Sequence, residues 1–329
     1  MTTTTFPTAT STLTRLRKRY AWLAAVAVLL LCLLIFRATQ VPTFGGFELR
    51  TIVAGSMTVA LLGMAQGVVV ISGGVNMSVG ALMVFANCLC ARLMLEASPA
   101  VAWLIAVGVV AVCAVVSAVM GWIITVSGVP DIVVTLALSF IIAGAAFLVL
   151  PQPGGGIPAS VQQAVVGGFS NPLPSALWLT AAVVVIWVPF RRSRWGIATY
   201  AVGSDRAAAY LAGINVGWAR VRAYALSGVF VGLAGFATTA FTGGGEPRTL
   251  IGMNALLASI AAVVLGGIAL TGGMGGLLGP VLAALVLGLI PQIMLGLGWD
   301  PNLAEVARGT FLILMVLLGG IAQQTRTRS

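Results

Sequence analysis

An all-α polytopic membrane protein of about ten helices is the fold class this sequence predicts, and three observations predict it. Sixty per cent of the 329 residues are apolar and only 7% are charged, with a mean hydropathy of +1.10, against the roughly 25% charged residues of a water-soluble domain. Apolar runs of the roughly 20 residues needed to cross a bilayer recur along nearly the whole chain, leaving no room for a separate soluble domain. The basic residues cluster outside those runs, where the positive-inside rule expects cytoplasmic segments.

A Thr-rich head, Met1 to Thr14, and the basic cluster Arg15, Arg17, Lys18 and Arg19 precede the apolar run Tyr20 to Phe36. This run reads as an anchor rather than a cleaved signal peptide, because Phe36-Arg37-Ala38-Thr39-Gln40 offers no small-x-small cleavage site and further spans follow. Those spans are predicted at Ile52 to Ile71, Ser78 to Leu95, Ala100 to Val126, Ile132 to Leu150, Ala176 to Phe190, Val221 to Phe241, Met253 to Leu270, Gly276 to Gly296 and Ala304 to Ile321. The total is ten, or eight to ten crossings if two segments are broken or re-entrant.

With the N-terminus inside, Arg191, Arg192, Arg194, Arg206, Arg220 and Arg222 fall in the cytoplasm together with Arg326, Arg328 and the N-terminal cluster. Only Arg37, Arg50, Arg92, Arg248 and Arg308 are left on or near the outer side. The predicted organisation is therefore a cytoplasmic tail over 1–19, one transmembrane domain over 20–322 with a cytoplasmic loop at 191–220, and a cytoplasmic tail over 323–329. The longest outer loop, Pro151 to Ser175, carries Pro-Gly-Gly-Gly and four further prolines and reads as irregular structure over the mouth of the protein. A partner's docking platform and a plain connector fit it equally.

The composition also excludes chemistry. A net charge of +10 would suit nucleic acid if the positions of the charges were ignored, but they flank membrane spans instead. The chain has no histidine, which removes His-ligated metal sites and every Ser-His or Cys-His pair. Cys32, Cys88, Cys90 and Cys113 lie in apolar stretches and read as small buried hydrophobes. The one lysine, Lys18, has no glycine before it and Arg19 after it, so no P-loop exists to cradle nucleotide phosphates. Asp131 and Glu305 fall at span ends and the other five acids fall in loops, so no mid-span carboxylate serves proton coupling.

One pattern recurs in the two halves. Ser72-Gly73-Gly74, five residues and Gly80 match Thr271-Gly272-Gly273, five residues and Gly279, each interrupting apolar sequence. Paired Gly-broken segments point to a transport pathway, since unwound backbone is tolerated in a membrane only where it lines a cavity or packs on protein. Glycine-mediated helix packing is the rival explanation. The polar stretch Arg191 to Arg222 is too hydrophilic to span and contains a short helix-prone segment, Arg206 to Ala212, closed by Gly213, suited either to press on a partner or to serve as an inert connector.

Four blocks in order are similar to the ribose-type permeases of bacterial ABC importers, over nearly the full length. Ile71 to Gly80 resembles the family's G-G-I-D-L-S-V-G block and Val129 to Leu136 its V-P-x-F-I-x-T-L block. Gly196 to Ile214 resembles the G-R-x-x-Y-A-x-G-G-N-x-x-A-A-x-x-x-G-I loop, and Ile260 to Gly279 the I-A-A-V-V-L-G-G-x-x-x-x-G-G-x-G-x-x-x-G block. Two departures stand out: the family's acid in G-G-I-D is Asn76 here, and its Glu-Leu-Asp is Leu256, Leu257 and Ala258.

The resemblance implies the permease subunit of an importer in the bacterial inner membrane, with no catalytic or metal site of its own, carrying a monosaccharide such as a pentose or hexose, furanose forms included. Its implied partners are a second permease chain, identical or paralogous, two ATPase subunits or one fused tandem ATPase that hold ATP and magnesium, a periplasmic solute-binding protein, and membrane lipid. Gly73, Gly74, Asn76, Met77, Ser78, Thr135, Gly272 and Gly273 would line the solute pathway. Asp205, Arg206, Ala208, Ala209, Gly213 and Ile214 would carry the coupling to the ATPase. A branched-chain amino acid, a sugar-like signal molecule, or a stand-alone secondary carrier are the alternatives.

Overall fold

The computed structural model describes residues 9–41 and 44–300 together with 303, 306, 309, 310 and 313, with side chains from Trp22 onward. Among the described residues every regular element is a helix: α1 (Ala9–Gln40), α2 (Gly46–Ile71), α3 (Val79–Met94), α4 (Pro99–Ser127), α5 (Asp131–Val149), α6 (Ala159–Val166) and α7 (Leu173–Ala181). A π-helical stretch, Ala182–Trp187, leads into α8 (Val188–Arg192), followed by α9 (Arg194–Ser204), α10 (Arg206–Leu211), α11 (Val216–Thr242), α12 (Thr249–Leu265) and α13 (Leu278–Gly296). The π turn ends two residues before Pro189, whose missing N–H cannot continue the i→i−4 ladder.

Among the described residues seven helical spans are long and apolar enough to cross a membrane, with α7, the π turn and α8 forming one of them; α3 and α12 are apolar but shorter, at 16 and 17 residues. The predicted span Met253 to Leu270 therefore ends early, because Gly266 and Gly267 stop the helix and Gly267 takes φ 77°. At the other end of the chain, the predicted tail is already helical from Ala9. The predicted span Ala304 to Ile321 and tail 323–329 lie outside the described residues apart from 306, 309, 310 and 313, which are helical.

Burial sorts the helices into layers. In α2, 78% of the most apolar window is buried and in α11 61%, against 6% in α1 and 17% in α5. A helix apolar on all sides belongs inside, and α2 and α11 form the centre around which α3, α4, α12 and α13 pack. Close approach depends on small residues, as expected where lipid leaves no hydrophobic drive between helices. A Cβ on Gly232 of α11 would lie 2.7 Å from the Val110 Cα of α4, and one on Gly228 would meet the Cys113 carbonyl.

One end of this bundle is tied by neutral hydrogen bonds as well as by the ion pairs Arg37–Glu48 and Arg248–Glu246, each at 3.2 Å. Gly154 and Gly245 exchange backbone bonds of 3.0 and 2.7 Å, Gly156 N–H donates to the Ala91 carbonyl, and Asn87 bonds Thr239, the Gly244 carbonyl and Glu246 N–H. The loop expected to be irregular contributes a helix here: α6 follows Pro158 and buries Val161, Val165 and Val166 in the main core, the i, i+4 spacing of Val161 and Val165 defining its apolar face. The opposite end gathers the Ser72–Ser78 and Gly266–Leu277 breaks, the start of α5 and the α9–α10 segment.

Candidate functional site

At the first break, α2 stops with a glycine cap. Gly73 takes φ 80°, Gly73 N–H donates to the Val70 carbonyl and Gly74 N–H to Val69 at 3.0 Å, which satisfies carbonyls left open at the helix end. Beyond it the chain makes a buried polar turn. Asn76 Oδ1 accepts from Ser78 N–H at 2.9 Å and from the Ser78 hydroxyl at 2.6 Å, and Thr135 Oγ1 accepts from Met77 N–H at 3.0 Å. Asn76, Ser78 and Thr135 are fully buried. The Asn76 amide nitrogen, Nδ2, has no hydrogen-bond partner.

The second break starts with its own cap at Gly267, where Gly267 N–H reaches Val264 and Ile268 N–H reaches Val263. Thr271-Gly272-Gly273 begins four residues after Gly267, so the repeated triplet does not end α12 as its counterpart ends α2. Gly272 and Gly273 instead turn in left-handed conformations, at φ 88° and 68°, and Gly273 N–H donates to the Ile71 carbonyl at 2.9 Å. The two breaks touch.

Gly203, near the end of α9, wedges between them. A Cβ there would run into the Ile71 carbonyl and stand 2.7 Å from Gly273 N, while one on Gly272 would come within 3.0 Å of Gly73 Cα. Only glycine backbone allows this three-way approach. Asp205 then caps α10, its Oδ1 accepting from Ala207 and Ala208 N–H at 2.8 and 3.0 Å. Arg206 donates to the Gly73 carbonyl at 2.9 Å, and Tyr200 donates to the Gly275 carbonyl at 2.8 Å. Gly213, at φ 80°, closes α10 as its sequence predicts.

The six coupling positions divide in two. Ala209 is buried and Ile214 packs beside Val202 and Ala219, whereas Asp205, Arg206, Ala208 and Gly213 are exposed. On α10 itself the large apolar side chains turned outward are Tyr210 and Leu211, 73% and 86% exposed, neither of them among the predicted coupling positions.

A charged cluster completes this end and corrects the sequence reading. Arg220, counted there among loop charges, lies inside α11 and is buried, because Asn215 caps the helix and starts it five residues before the expected Val221. Much of the 191–220 segment is likewise helical, in α8, α9 and α10. Arg220 Nη2 pairs with Asp131 Oδ1 at the start of α5, and the Tyr224 hydroxyl donates to Asp131 Oδ2 at 3.0 Å. The signal in the sequence was the lone acid at the head of an apolar run, a favoured place for a carboxylate. Among the described residues no group of three His, Cys, Asp or Glu side chains is placed to hold a metal ion.

Comparison with known proteins follows the same lines. Residues 48–318 match the family described as branched-chain amino acid transport system / permease component. The fructose import permease protein of Rhizobium meliloti is 30% identical over 286 residues, 84% of this chain and 78% of that one. The ribose import permease protein of Escherichia coli K12 is 28% identical over 309 residues, 91% and 94% of the two chains. The autoinducer 2 import system permease protein of Photorhabdus temperata is 25% identical over 315 residues, 91% of each. No solved structure matches this chain.

Proposed function

This chain belongs to the branched-chain amino acid transport system / permease component family, and from that premise we propose that it is the membrane-spanning subunit of an ATP-binding-cassette importer for a monosaccharide. Fructose and ribose are the solutes in the names of two of the three relatives above and autoinducer 2 in the third, and none names a branched-chain amino acid, which favours a sugar over the solute in the family's description. In this reading the chain crosses the bacterial inner membrane ten times with both termini in the cytoplasm, pairs with a second permease chain, and receives solute from a periplasmic binding protein. ATP and magnesium bind on separate ATPase subunits, and the purified chain binds no ATP.

The observation that carries the reading is the contact of the α9–α10 segment with both glycine breaks, through Gly203 and Arg206. An ATPase subunit grips the exposed Tyr210 and Leu211 on α10. Its movement passes from Arg206 to the Gly73 carbonyl and from Gly203 to Ile71 and Gly273, so that both breaks shift together. Gly73, Gly74, Asn76, Met77, Ser78, Thr135, Gly272 and Gly273 then open toward the solute, and the uncharged Asn76 amide offers a hydrogen-bond donor to a sugar hydroxyl without the cost of a buried charge.

The test is uptake of labelled fructose and ribose into vesicles holding this chain with its ATPase and binding-protein partners. Uptake that needs ATP and both partners is expected. Uptake by the chain alone, driven by a proton or sodium gradient, would overturn the proposal.

A further inference from the structure

The end of the bundle that gathers the two breaks carries more basic than acidic groups. Its acids among the described residues are Asp131, which pairs with Arg220, and Asp205, which caps α10. Three of its arginines are engaged: Arg206 on the Gly73 carbonyl, Arg220 on Asp131, and Arg222 over the Trp195 ring at 5.3 Å. Arg191, Arg192 and Arg194 are exposed and pair with no acid among the described residues. At the opposite end, by contrast, Arg37 and Arg248 each hold a glutamate.

One of the three unpaired arginines, Arg191, lines a cleft. It lies between α1, the second break, and the span formed by α7, the π turn and α8, with Trp22 contributed by α1 and Trp187 by the π turn. Both indoles are held in place. Trp22 Nε1 donates to the Leu265 carbonyl at 2.9 Å, and its ring lies where a Cβ on Gly267 would fall. Trp187 is buried and stacks on Phe190 at 6.0 Å. Arg191 stands one turn beyond Trp187 on the same helix face. Leu23, Val183, Val188 and the exposed Leu278 make the rest of the side-chain lining apolar.

An apolar cleft with two indoles and one unpaired guanidinium matches the interfacial part of a phospholipid. Tryptophan favours the headgroup level of a bilayer, basic pockets between membrane helices take anionic headgroups, and a guanidinium can bind two phosphate oxygens at once. We propose that this cleft binds one anionic phospholipid, with its phosphate on Arg191 and its upper acyl carbons against Leu23, Val188 and Leu278. A zwitterionic headgroup carries its own cation beside the phosphate and so satisfies Arg191 less well. The bound lipid bridges α1, the span with the π turn and the second break, and so fastens a helix whose apolar window is only 6% buried. Binding is a property of the cleft and does not depend on the permease reading.

The experiment titrates the full-length chain, purified in detergent and stripped of lipid, with phosphatidylglycerol or phosphatidylcholine, and counts the lipid retained by native mass spectrometry. Phosphatidylglycerol is expected to bind saturably and at least about fivefold more tightly than phosphatidylcholine, and Arg191→Gln is expected to remove most of that preference. Arg192→Gln, adjacent in sequence but outside the cleft, is expected to bind within about twofold of the unaltered chain. Equal affinity for the two lipids overturns the inference. So do equal losses from Arg191→Gln and Arg192→Gln, which would mean general surface charge, and displacement of the lipid by millimolar inorganic phosphate, which would mean a bare anion site. If Arg191→Gln does not accumulate, Leu278→Trp, which narrows the cleft from its exposed side without altering charge, is titrated instead: weaker phosphatidylglycerol binding supports the site and unchanged binding overturns it.

Discussion

The two glycine breaks share a sequence skeleton but are held differently. At both, the last glycine is required because a carbonyl occupies the place of its Cβ. For Gly279 that carbonyl belongs to Gly266, the cap of the preceding helix α12, so the second break folds back on itself and α12 packs along α13. For Gly80 it belongs to Gly252 of α12, a different part of the molecule, and α2 and α3 barely touch. Charged side chains bind the first break, Arg206 at its cap and Asp131 at its turn, whereas the second is contacted by neutral side chains, Tyr200 at Gly275, Trp22 at Leu265 and Gly267 and Ser204 at Gly273, and by backbone. A hairpin that closes on itself has one stable geometry. A link clamped by side chains from other helices can be moved by them.

The contrast can be broken most severely where the breaks meet. Gly203→Ala should abolish uptake and lower stability by about 1–3 kcal/mol, since the new methyl meets backbone atoms that cannot step aside. Gly144→Ala, with nothing within 4 Å of the added Cβ, sets the zero for uptake and thermal unfolding. The next comparison sharpens it. Gly80→Ala and Gly279→Ala should each cost about 1–3 kcal/mol by overpacking, but Gly80→Ala, which parts α3 from α12, should reduce uptake several-fold more. Equal losses of uptake would mean the two breaks do the same work.

A smaller pair of effects separates charge from neutral contact. Arg206→Ala removes a largely exposed charged bond to Gly73 and should cost under about 1 kcal/mol in stability while lowering uptake several-fold. Tyr200→Phe removes the bond to Gly275 and should cost about 0.5–1.5 kcal/mol with little change in uptake. Thermal unfolding and initial uptake rates on the same preparations check both. The reverse ranking in uptake would move the coupling to the second break.

Much of this end was legible before any coordinates. The end of α2 at Ile71, the end of α13 at Gly296 and the closure of α10 at Gly213 are written locally, in apolar runs stopped by glycine. The two breaks were legible as a repeat, but not their difference, because glycine letters carry no record of which carbonyl will lie opposite. Arg220 and Asp131 are 89 residues apart, and their pairing is a property of how α5 and α11 pack. Arg220 looked like a loop charge because its neighbours Arg222 and Trp218 are polar or amphipathic, and the cap at Asn215 that draws it into the helix is a single side-chain bond. Gly203 falls on a glycine of the loop block quoted above, but the letter alone could not show its role, which depends on two segments distant in sequence.

The central claim is that the Ser72–Ser78 turn lies on the solute path and is moved by the coupling segment. The direct measurement replaces Asn76 with cysteine after Cys32, Cys88, Cys90 and Cys113 have been removed, and follows its reaction with a small polar thiol reagent in the assembled importer. Position 76 is fully buried in this structure, so slow reaction is expected at rest and a marked change in rate when nucleotide or solute binds. A position 76 that stays unreactive in every state while transport persists would contradict the account.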